Sequence, residues 1–502
     1  MTEEGQILTE AEAILNNGKV LYKDIDCFVS PGVWYLTALL FKVFGVGLNL
    51  TRLVMAILFS LTVVLVYLIS STSMTKRYAV FAASMMFIQK ALVFPLGIFI
   101  NYTEFAVLFG LLTVYLLLLY VTKKYRYILC LSGISLGLSI IFKQNIGFVL
   151  FLGSLVFLFV YYRTLREILT FILPTGLILG LTLLYFVSNG ATKDLLHGLF
   201  SMPFNGFYQE CKVPYLPIHS LWRFTPIEVF QYFPSLFWVE YVFYYKPYVS
   251  QYLIPLVKAI VVFLYFLPIY LCVVFGLRVL KKHKIARVEF LLFTGSIAIF
   301  TTTFPRSDFV HLMEGIPGWL ILGAYIMYTS KYCKLVSLNI FPFILIAGFS
   351  ILLIIKMPCS QLLVLPRCKV YLIPHHYDAI TKTMDWMEKN IPHNESVVVI
   401  PSDAMYYFLS DRTPPFRYTV LFPTNISYDK GKRASEMIED LKVKYIVYNP
   451  CQIPGIPPFE KYGSILYGYL SDNYTKACSF SNEFGEYLQI LKRNDGFIYP
   501  QF

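Results

Sequence analysis

Between Leu50 and Ile355 the chain is a succession of apolar runs of spanning or near-spanning length, separated by short polar connections. Helices are predicted at Leu50–Ser71, Tyr78–Phe99, Glu104–Val121, Tyr127–Phe142, Ile146–Tyr162, Ile168–Val187, Tyr252–Val279, Val288–Phe304, Ile316–Tyr328 and Leu335–Lys356, about ten in all. Several fall short of the ~20 residues that cross a hydrocarbon core, which predicts tilt, kinks or burial within a bundle. Ahead of them, Val33–Val46 is too short to span, carries Lys42 and is bounded by Pro31-Gly32 and Gly45. It is predicted to lie in the membrane interface. The stretch from Ser188 to Gln251 mixes Pro, aromatic and charged residues, as a large loop with amphipathic helices on the bilayer would.

After Lys356 the pattern changes. From about Cys368 to Phe502 the chain is polar enough to fold in water. Helical periodicity over Tyr377–Asn390 precedes a buried strand at Ser396–Ile400. Helix Lys432–Leu441, strand Tyr445–Tyr448, helix Tyr462–Tyr474 and strand Tyr487–Leu491 follow. Strand–helix alternation predicts a small α/β domain with partly parallel strands. The expected architecture is an α-helical polytopic membrane protein in three parts: residues 1–49 with interfacial helices, a transmembrane bundle over 50–356, and a soluble α/β domain over 368–502.

Charge gives this picture two sides. Every second connection is basic: Lys76-Arg77, Lys123-Lys124-Tyr125-Arg126, Arg163 and Arg166, Arg278 through Arg287, and Lys331 with Lys334. The positive-inside rule makes these loops cytoplasmic. The intervening connections and both termini then face outward, carrying Glu3, Glu4, Asp24, Asp26, Glu104 and Arg306-Ser307-Asp308. Carboxylates gathered on one membrane face suggest a catalytic site open to the outside. An outward Met1 also leaves an even number of spans without a preceding signal or anchor, so a further apolar helix is expected upstream of it.

Composition agrees. The 502 residues are 57% hydrophobic, 18% aromatic and 14% charged, with mean hydropathy +0.62. The net charge of +12 would suit a polyanionic partner, but much of the basic excess lies in the short loops and is explained by topology, so nucleic-acid binding is not expected. There is no GxGxxG and no P-loop, and no CxxC or His-rich spacing points to zinc. Six of the nine cysteines (Cys27, Cys211, Cys359, Cys368, Cys451, Cys478) fall in outward segments. Disulfides are allowed there, Cys359–Cys368 being the first pair to test; unpaired small hydrophobes are the equal alternative.

The outward segments carry ordered motifs. Glu3-Glu4 is followed by Ala11-Glu12-Ala13-Ile14-Leu15-Asn16-Asn17-Gly18, then Tyr22-Lys23-Asp24, Pro31-Gly32, Phe44-Gly45 and Arg52. This order resembles the first outward loop of the membrane glycosyltransferases of C-type fold, specifically the protein-mannosyltransferase-like and aminoarabinose-transferase-like enzymes. The family pattern has an acidic pair, usually Asp-Glu, and a Pro-Pro turn; here Glu3-Glu4 and Pro31-Gly32 stand in those places. The resemblance continues at Asn101-Tyr102-Thr103-Glu104, at Gly133 through Ser139 followed by Lys143-Gln144, and at Pro305-Arg306-Ser307-Asp308-Phe309-Val310-His311-Leu312. The tail, with Ser410-Asp411-Arg412-Thr413-Pro414-Pro415, is similar to that of the bacterial and archaeal members.

The resemblance implies a sugar donor on a polyprenyl phosphate, presented from the outer leaflet of a plasma (inner) membrane, and an envelope acceptor. Glu3 or Glu4 would be the general base that takes a proton from the attacking acceptor, with inversion at the anomeric carbon. Lys143 and Arg306 would meet the leaving lipid phosphate. Glu104 and Asp308 would orient hydroxyls, Asp308 also aligning His311. No cofactor is implied with certainty, and a divalent cation is left open.

Each residue also has a plainer reading. Glu3 would be a frayed solvated charge, Glu104 a helix cap, Lys143 a snorkelling lysine, Arg306–Asp308 a structural ion pair and His311 a satisfied interfacial histidine. Asp24 and Asp26 read mainly as a solvated turn and only secondarily as substrate contacts. Three other functions stand beside transfer: a flippase or transporter of lipid-linked sugars, a non-enzymatic envelope scaffold, and a hydrolase in which water replaces the acceptor.

Overall fold

The structure, a computed structural model, describes residues 2–93, 96–204, 208–215, 232, 247–282, 285–330, 360–372, 374–450, 456–482 and 485–494. The chain opens with two helices at the rim of the bundle, α1 (Thr2–Asn17) and α2 (Gly32–Phe44). Helix α2 buries Val33, Trp34, Thr37, Ala38 and Phe41, yet its outer face is also apolar, with Leu39, Val43 and Phe44 exposed. Protein on one side and an open apolar face on the other would suit contact with lipid.

The bundle follows as α3 (Leu48–Ser73), α4 (Lys76–Leu92), α5 (Tyr102–Lys123), α6 (Arg126–Phe142), α7 (Gln144–Tyr161), α8 (Leu165–Ser188), α9 (Pro247–Lys282), α10 (Arg287–Phe300), α11 (Phe309–Gly315) and α12 (Pro317–Thr329). Among the described residues five helices are long and apolar enough to cross a membrane: α3, α5, α7, α8 and Ala259–Lys281 of α9. A sixth span forms if α11 and α12, bent by 54°, count as one. This is fewer than the ten apolar runs of the sequence. Helices α4 and α6 have 17 residues and α10 has 14. At ~1.5 Å per residue they stop short of a ~30 Å hydrocarbon core. The run at Leu335–Lys356 and most of the loop between Ser188 and Gln251 lie outside the described residues.

Packing explains how polar residues sit inside this bundle. Helix α6 places Ser132, Ser135 and Ser139 one turn apart, and each donates to a carbonyl of α5, those of Thr113, Phe109 and Ala106, at 3.2, 2.8 and 2.9 Å. On its other side Gly133 and Gly137 face α8 so closely that an added methyl would collide with the Phe171 carbonyl or the Ile178 side chain. Thr175 of α8 donates to the Gly133 carbonyl at 2.8 Å. Small residues four apart with crossing hydroxyl bonds are what membrane helices use where lipid removes the hydrophobic drive. The outer face of α8 exposes Leu165, Leu169, Leu173, Leu177 and Leu181, an i,i+4 stripe suited to acyl chains.

Contacts between helix ends sort the connections onto two ends of the bundle. Tyr120 bonds Glu167, the Tyr161 hydroxyl bonds the Ile285 carbonyl, and Arg278 reaches Thr329 and Ser330 at the end that holds the basic turns. The α4–α5, α6–α7 and α10–α11 junctions meet at the opposite end.

The tail begins with a hairpin, β1 (Gln361–Leu365) and β2 (Cys368–Leu372), that the sequence reading did not predict. It docks on the start of α3 through Leu48 N–H to Arg367 O at 2.9 Å and a two-way bond between the Asn49 side chain and the Lys369 backbone. Beyond it, helix α13 (Pro374–Asn390) and short helix α14 (Met405–Leu409) accompany β3 (Val397–Ile400), β4 (Tyr445–Tyr448), β5 (Tyr474–Asn482) and β6 (Gly485–Arg493). Sheet order is β3-β4-β6-β5, with β3–β4 parallel and the other pairs antiparallel. Cys359, of the cysteine pair singled out for testing, lies outside the described residues, as does Cys451.

Candidate active site

The site forms where α1, α4, α5, α6 and α10–α11 converge, at the end opposite the basic turns. Helix α1 brings two adjacent carboxylates with different fates. Glu4 is sealed inside: Arg52 of α3 pairs with it at 2.7 Å, and the Ile100 N–H donates to its other oxygen at 3.3 Å. Arg52 also lies over the Phe99 ring, 4.1 Å from its centroid. Glu3 is exposed at the rim, within hydrogen-bonding reach of the Tyr102 hydroxyl. Among the described residues no cation stands at ion-pair distance from it.

Helix α5 starts under this point. Asn101 caps it, accepting from the Glu104 N–H at 3.0 Å, so the cap reading belongs to Asn101 and not to Glu104. The Glu104 carboxylate is buried and ion-paired with Lys90 of α4. Lys143, at the α6–α7 junction, turns into the bundle: its ammonium donates to Thr103 at 2.8 Å and Thr302 at 2.6 Å, and sits 5.1 Å from the Tyr102 ring centroid. Its acidic neighbours are Glu314, Glu3, Glu104 and Asp308. The snorkelling alternative does not describe this geometry.

The α10–α11 loop supplies the remaining wall. Asp308 caps α11, accepting from the His311 N–H at 3.1 Å, and its carboxylate also meets His311 Nδ1 at 2.7 Å and Arg306 Nε at 2.6 Å. Burial raises the Asp308 carboxyl, but His311 and Arg306 outweigh it and hold the group below the ordinary carboxylate range. The loop is braced by Val213, which bridges to Arg306, and by the Tyr265 hydroxyl on the Ser307 carbonyl at 2.8 Å.

Of the residues singled out from sequence, Glu3, Glu104, Lys143, Arg306, Asp308 and His311 come together here, with Glu4 behind them. Asp24 and Asp26 lie elsewhere. Asp24 closes its own turn, accepting from the Val20 N–H at 2.8 Å. Asp26 is not a solvated turn residue: it is largely buried against the tail, 3.1 Å from Arg417. Its partner lies 391 residues away, a contact no local pattern announces.

Three site residues were missed: Lys90, Tyr102 and Glu314. Glu314 is buried, within 3.4 Å of Asn101 and 3.5 Å of Thr302, one turn beyond His311. A lysine within an apolar helix and a glutamate three residues after His311 were the available signals. Among the described residues no three His, Cys, Asp or Glu side chains are grouped to hold a metal ion.

Glu10 is a further buried carboxylate on α1, joining this helix to α2. It accepts from Trp34 Nε1 at 2.5 Å and Gln6 at 3.0 Å, and Trp34 stacks on Tyr102 with 6.1 Å between centroids. Burial pushes its carboxyl up to about 8, with Asp26 adding to the rise and the Gln6, Thr419 and Trp34 hydrogen bonds opposing it. The folded state therefore prefers the protonated acid. Below the ordinary value of 4.5 folded and unfolded forms are both protonated and this burial carries no ionic penalty. As pH rises to about 8 the unfolded chain ionises first, and stability falls by an amount on the order of a few kcal/mol. Thermal unfolding in nanodiscs across this range is expected to show the decline in wild type and a flatter profile in Glu10→Gln. Equal slopes would remove Glu10 as its source.

The dolichyl-phosphate-mannose-protein mannosyltransferase family matches residues 29–188. The crystal structure of ArnT from Cupriavidus metallidurans in the apo state is similar with TM-score 0.56 at 11% identity, covering 97% of this chain and 93% of that one. The same protein bound to undecaprenyl phosphate gives TM-score 0.55 at the same identity and coverage. The Archaeoglobus fulgidus oligosaccharyltransferase in complex with Zn and sulfate gives TM-score 0.49 at 14% identity, over 97% of this chain and 69% of its own. No curated protein matches the chain by sequence. A helical membrane bundle with charged residues gathered at one end and a small α/β tail is the architecture of the membrane glycosyltransferases of C-type fold, and this chain has that fold. The match to the dolichyl-phosphate-mannose-protein mannosyltransferase family spans about a third of the chain, from the segment after α1 to the end of α8.

Proposed function

We propose that the protein transfers a sugar from a polyprenyl-phosphate donor to an acceptor of the cell envelope (lipid, glycan or protein), at the outer face of a plasma (inner) membrane and with inversion. The observation that carries this reading is the division of labour among the carboxylates. Glu4, Glu104 and Asp308 are each neutralised by a cation at contact distance. Glu3 alone of the sequence-nominated site acids is exposed at the rim, in reach of the Tyr102 hydroxyl. A base needs a carboxylate without a committed cation and open to the acceptor, and the exposed position of Glu3 supports that role.

In the mechanism that follows, Glu3 takes the proton of the acceptor hydroxyl or amine as that atom attacks the anomeric carbon. The carbon–oxygen bond to the lipid phosphate breaks on the opposite side, so configuration inverts. The phosphate leaves as an anion and needs positive charge rather than a strong acid. Lys143 and the Arg306–Asp308–His311 group supply that charge at fixed positions, at no reorganisation cost during the reaction. The donor's polyprenyl chain stays in the bilayer, reaching the rim along an apolar surface.

The test is consumption of a panel of labelled polyprenyl-phosphate sugars by full-length protein in nanodiscs, beside the Glu3→Gln variant. Carboxylate-dependent consumption of one donor with a product other than free sugar supports a transferase. Free sugar as the product supports a hydrolase instead. Silence toward every donor with envelope acceptors present would sink the reading and favour a transporter or scaffold.

A further inference from the structure

The α/β tail grips the helix that carries Glu3. Arg367, in the β1–β2 turn, makes a two-pronged pair with Glu12 of α1 at 2.6 and 2.9 Å, while also meeting Asp411 and the Phe408 carbonyl. The Thr9 hydroxyl donates to the Ala404 carbonyl at 3.3 Å. Gly5, one residue past Glu4, lies so close to the Ala404–Met405 backbone that a methyl group there would collide with it. A second arginine, Arg417, holds the segment after α1: it bonds Asp26 at 3.1 Å and the Tyr22 carbonyl at 3.0 Å, and its own carbonyl accepts from the Asp26 N–H at 3.0 Å. Arg367 and Glu12 are both about six-sevenths buried at the side chain. Such a fork fixes orientation as well as distance, which a lysine would not.

Toward the membrane, α1 is held near its start by Glu4 with Arg52. Its remaining length rests on α2 and the tail. We infer that Arg367 and Arg417 are positioning residues: through Glu12, Asp26 and the Gly5 contact, the α/β tail sets where α1 places Glu3 beside Tyr102 and Lys143. This rests on the reading of Glu3 as the base. It assigns the tail a task in the reaction without a ligand of its own. A one-ångström displacement of a proton acceptor is enough to lower a rate by about two orders of magnitude.

The experiment uses the full chain in nanodiscs and compares wild type with Arg367→Gln, Arg367→Lys, Arg417→Gln and Glu3→Gln. Hydrogen exchange is read over residues 2–17 and over α5 and α6. Undecaprenyl phosphate binding is measured as a probe of the phosphate side of the site, and turnover with the donor that wild type consumes. The expected result for Arg367→Gln is at least tenfold faster exchange in α1 with α5 and α6 unchanged. Turnover should fall roughly a hundredfold through kcat, with the undecaprenyl phosphate Kd unaltered and partial rescue by Arg367→Lys. Unchanged protection of α1 overturns the inference, and so does loss of protection throughout the bundle, which marks a merely structural role. Loosened α1 with wild-type turnover, in a protein that Glu3→Gln inactivates, also overturns it. If Glu3→Gln itself retains wild-type turnover, the base assignment is what fails, and the exchange data then report docking alone.

Discussion

Glu3→Gln is expected to lower turnover by about two to four orders of magnitude, the range that a positioned general base contributes, while leaving the fold and undecaprenyl phosphate binding intact. The reason lies in its surroundings. Glu3 is exposed and bears no buried ion pair, so the amide replaces it at little cost in stability. It is also isosteric, so the contact with Tyr102 survives. Glu4→Gln is the informative contrast. Its side chain is wholly buried against Arg52, and removing that charge strands a buried guanidinium, at roughly 3–5 kcal/mol. Glu4→Gln should therefore lose stability and activity together, and Glu3→Gln activity alone. Measuring unfolding midpoint and turnover on the same samples separates the two. A Glu3→Gln protein with wild-type turnover would leave the site without its proposed base.

Lys143→Met is expected to weaken both turnover and undecaprenyl phosphate binding, by about a hundredfold or more in rate. Lys143 is held by two threonine hydroxyls from different helices, Thr103 and Thr302, and by the face of Tyr102. It faces four acids, so its charge also offsets their mutual repulsion. Methionine keeps the length of the side chain and leaves both hydroxyls to bond elsewhere. An effect on turnover with no change in lipid-phosphate affinity would move Lys143 from phosphate binding to organising the carboxylates.

What the sequence disclosed and what it withheld follow from the range of each interaction. Strand β4 occupies the same residues as expected, Tyr445–Tyr448, because a fully buried apolar run between polar segments has few other folds. The Asp308–His311 contact was expected from the family resemblance, and its geometry is that of an N-cap acceptor meeting a residue three positions on. Helix α12 begins at Pro317, one residue from the expected start at Ile316, and proline suits the first position of a helix. Lys90 and Glu314 show the limit. Sequence gives neither a partner, and only tertiary structure brings Lys90 to Glu104 or Glu314 to Thr302. The β1–β2 hairpin was missed because five-residue strands with mixed exposure resemble a linker. Asp26 was misjudged for the same reason of distance.

The pairing of Glu12 with Arg367 spans 355 residues of chain. During synthesis Glu12 leaves the ribosome ahead of Arg367, which follows roughly 20 to 70 s later at ordinary elongation rates. For that interval the membrane helices can insert and pack, with α1 held by Arg52 and by α2 but not yet by the tail. A chain stalled before Arg367 would lack the α1–tail contacts and, on the proposal above, should insert in the membrane yet turn over poorly. On the proposal that the tail positions Glu3, the order of synthesis acts as a safeguard, because the base is aligned only after the tail has docked.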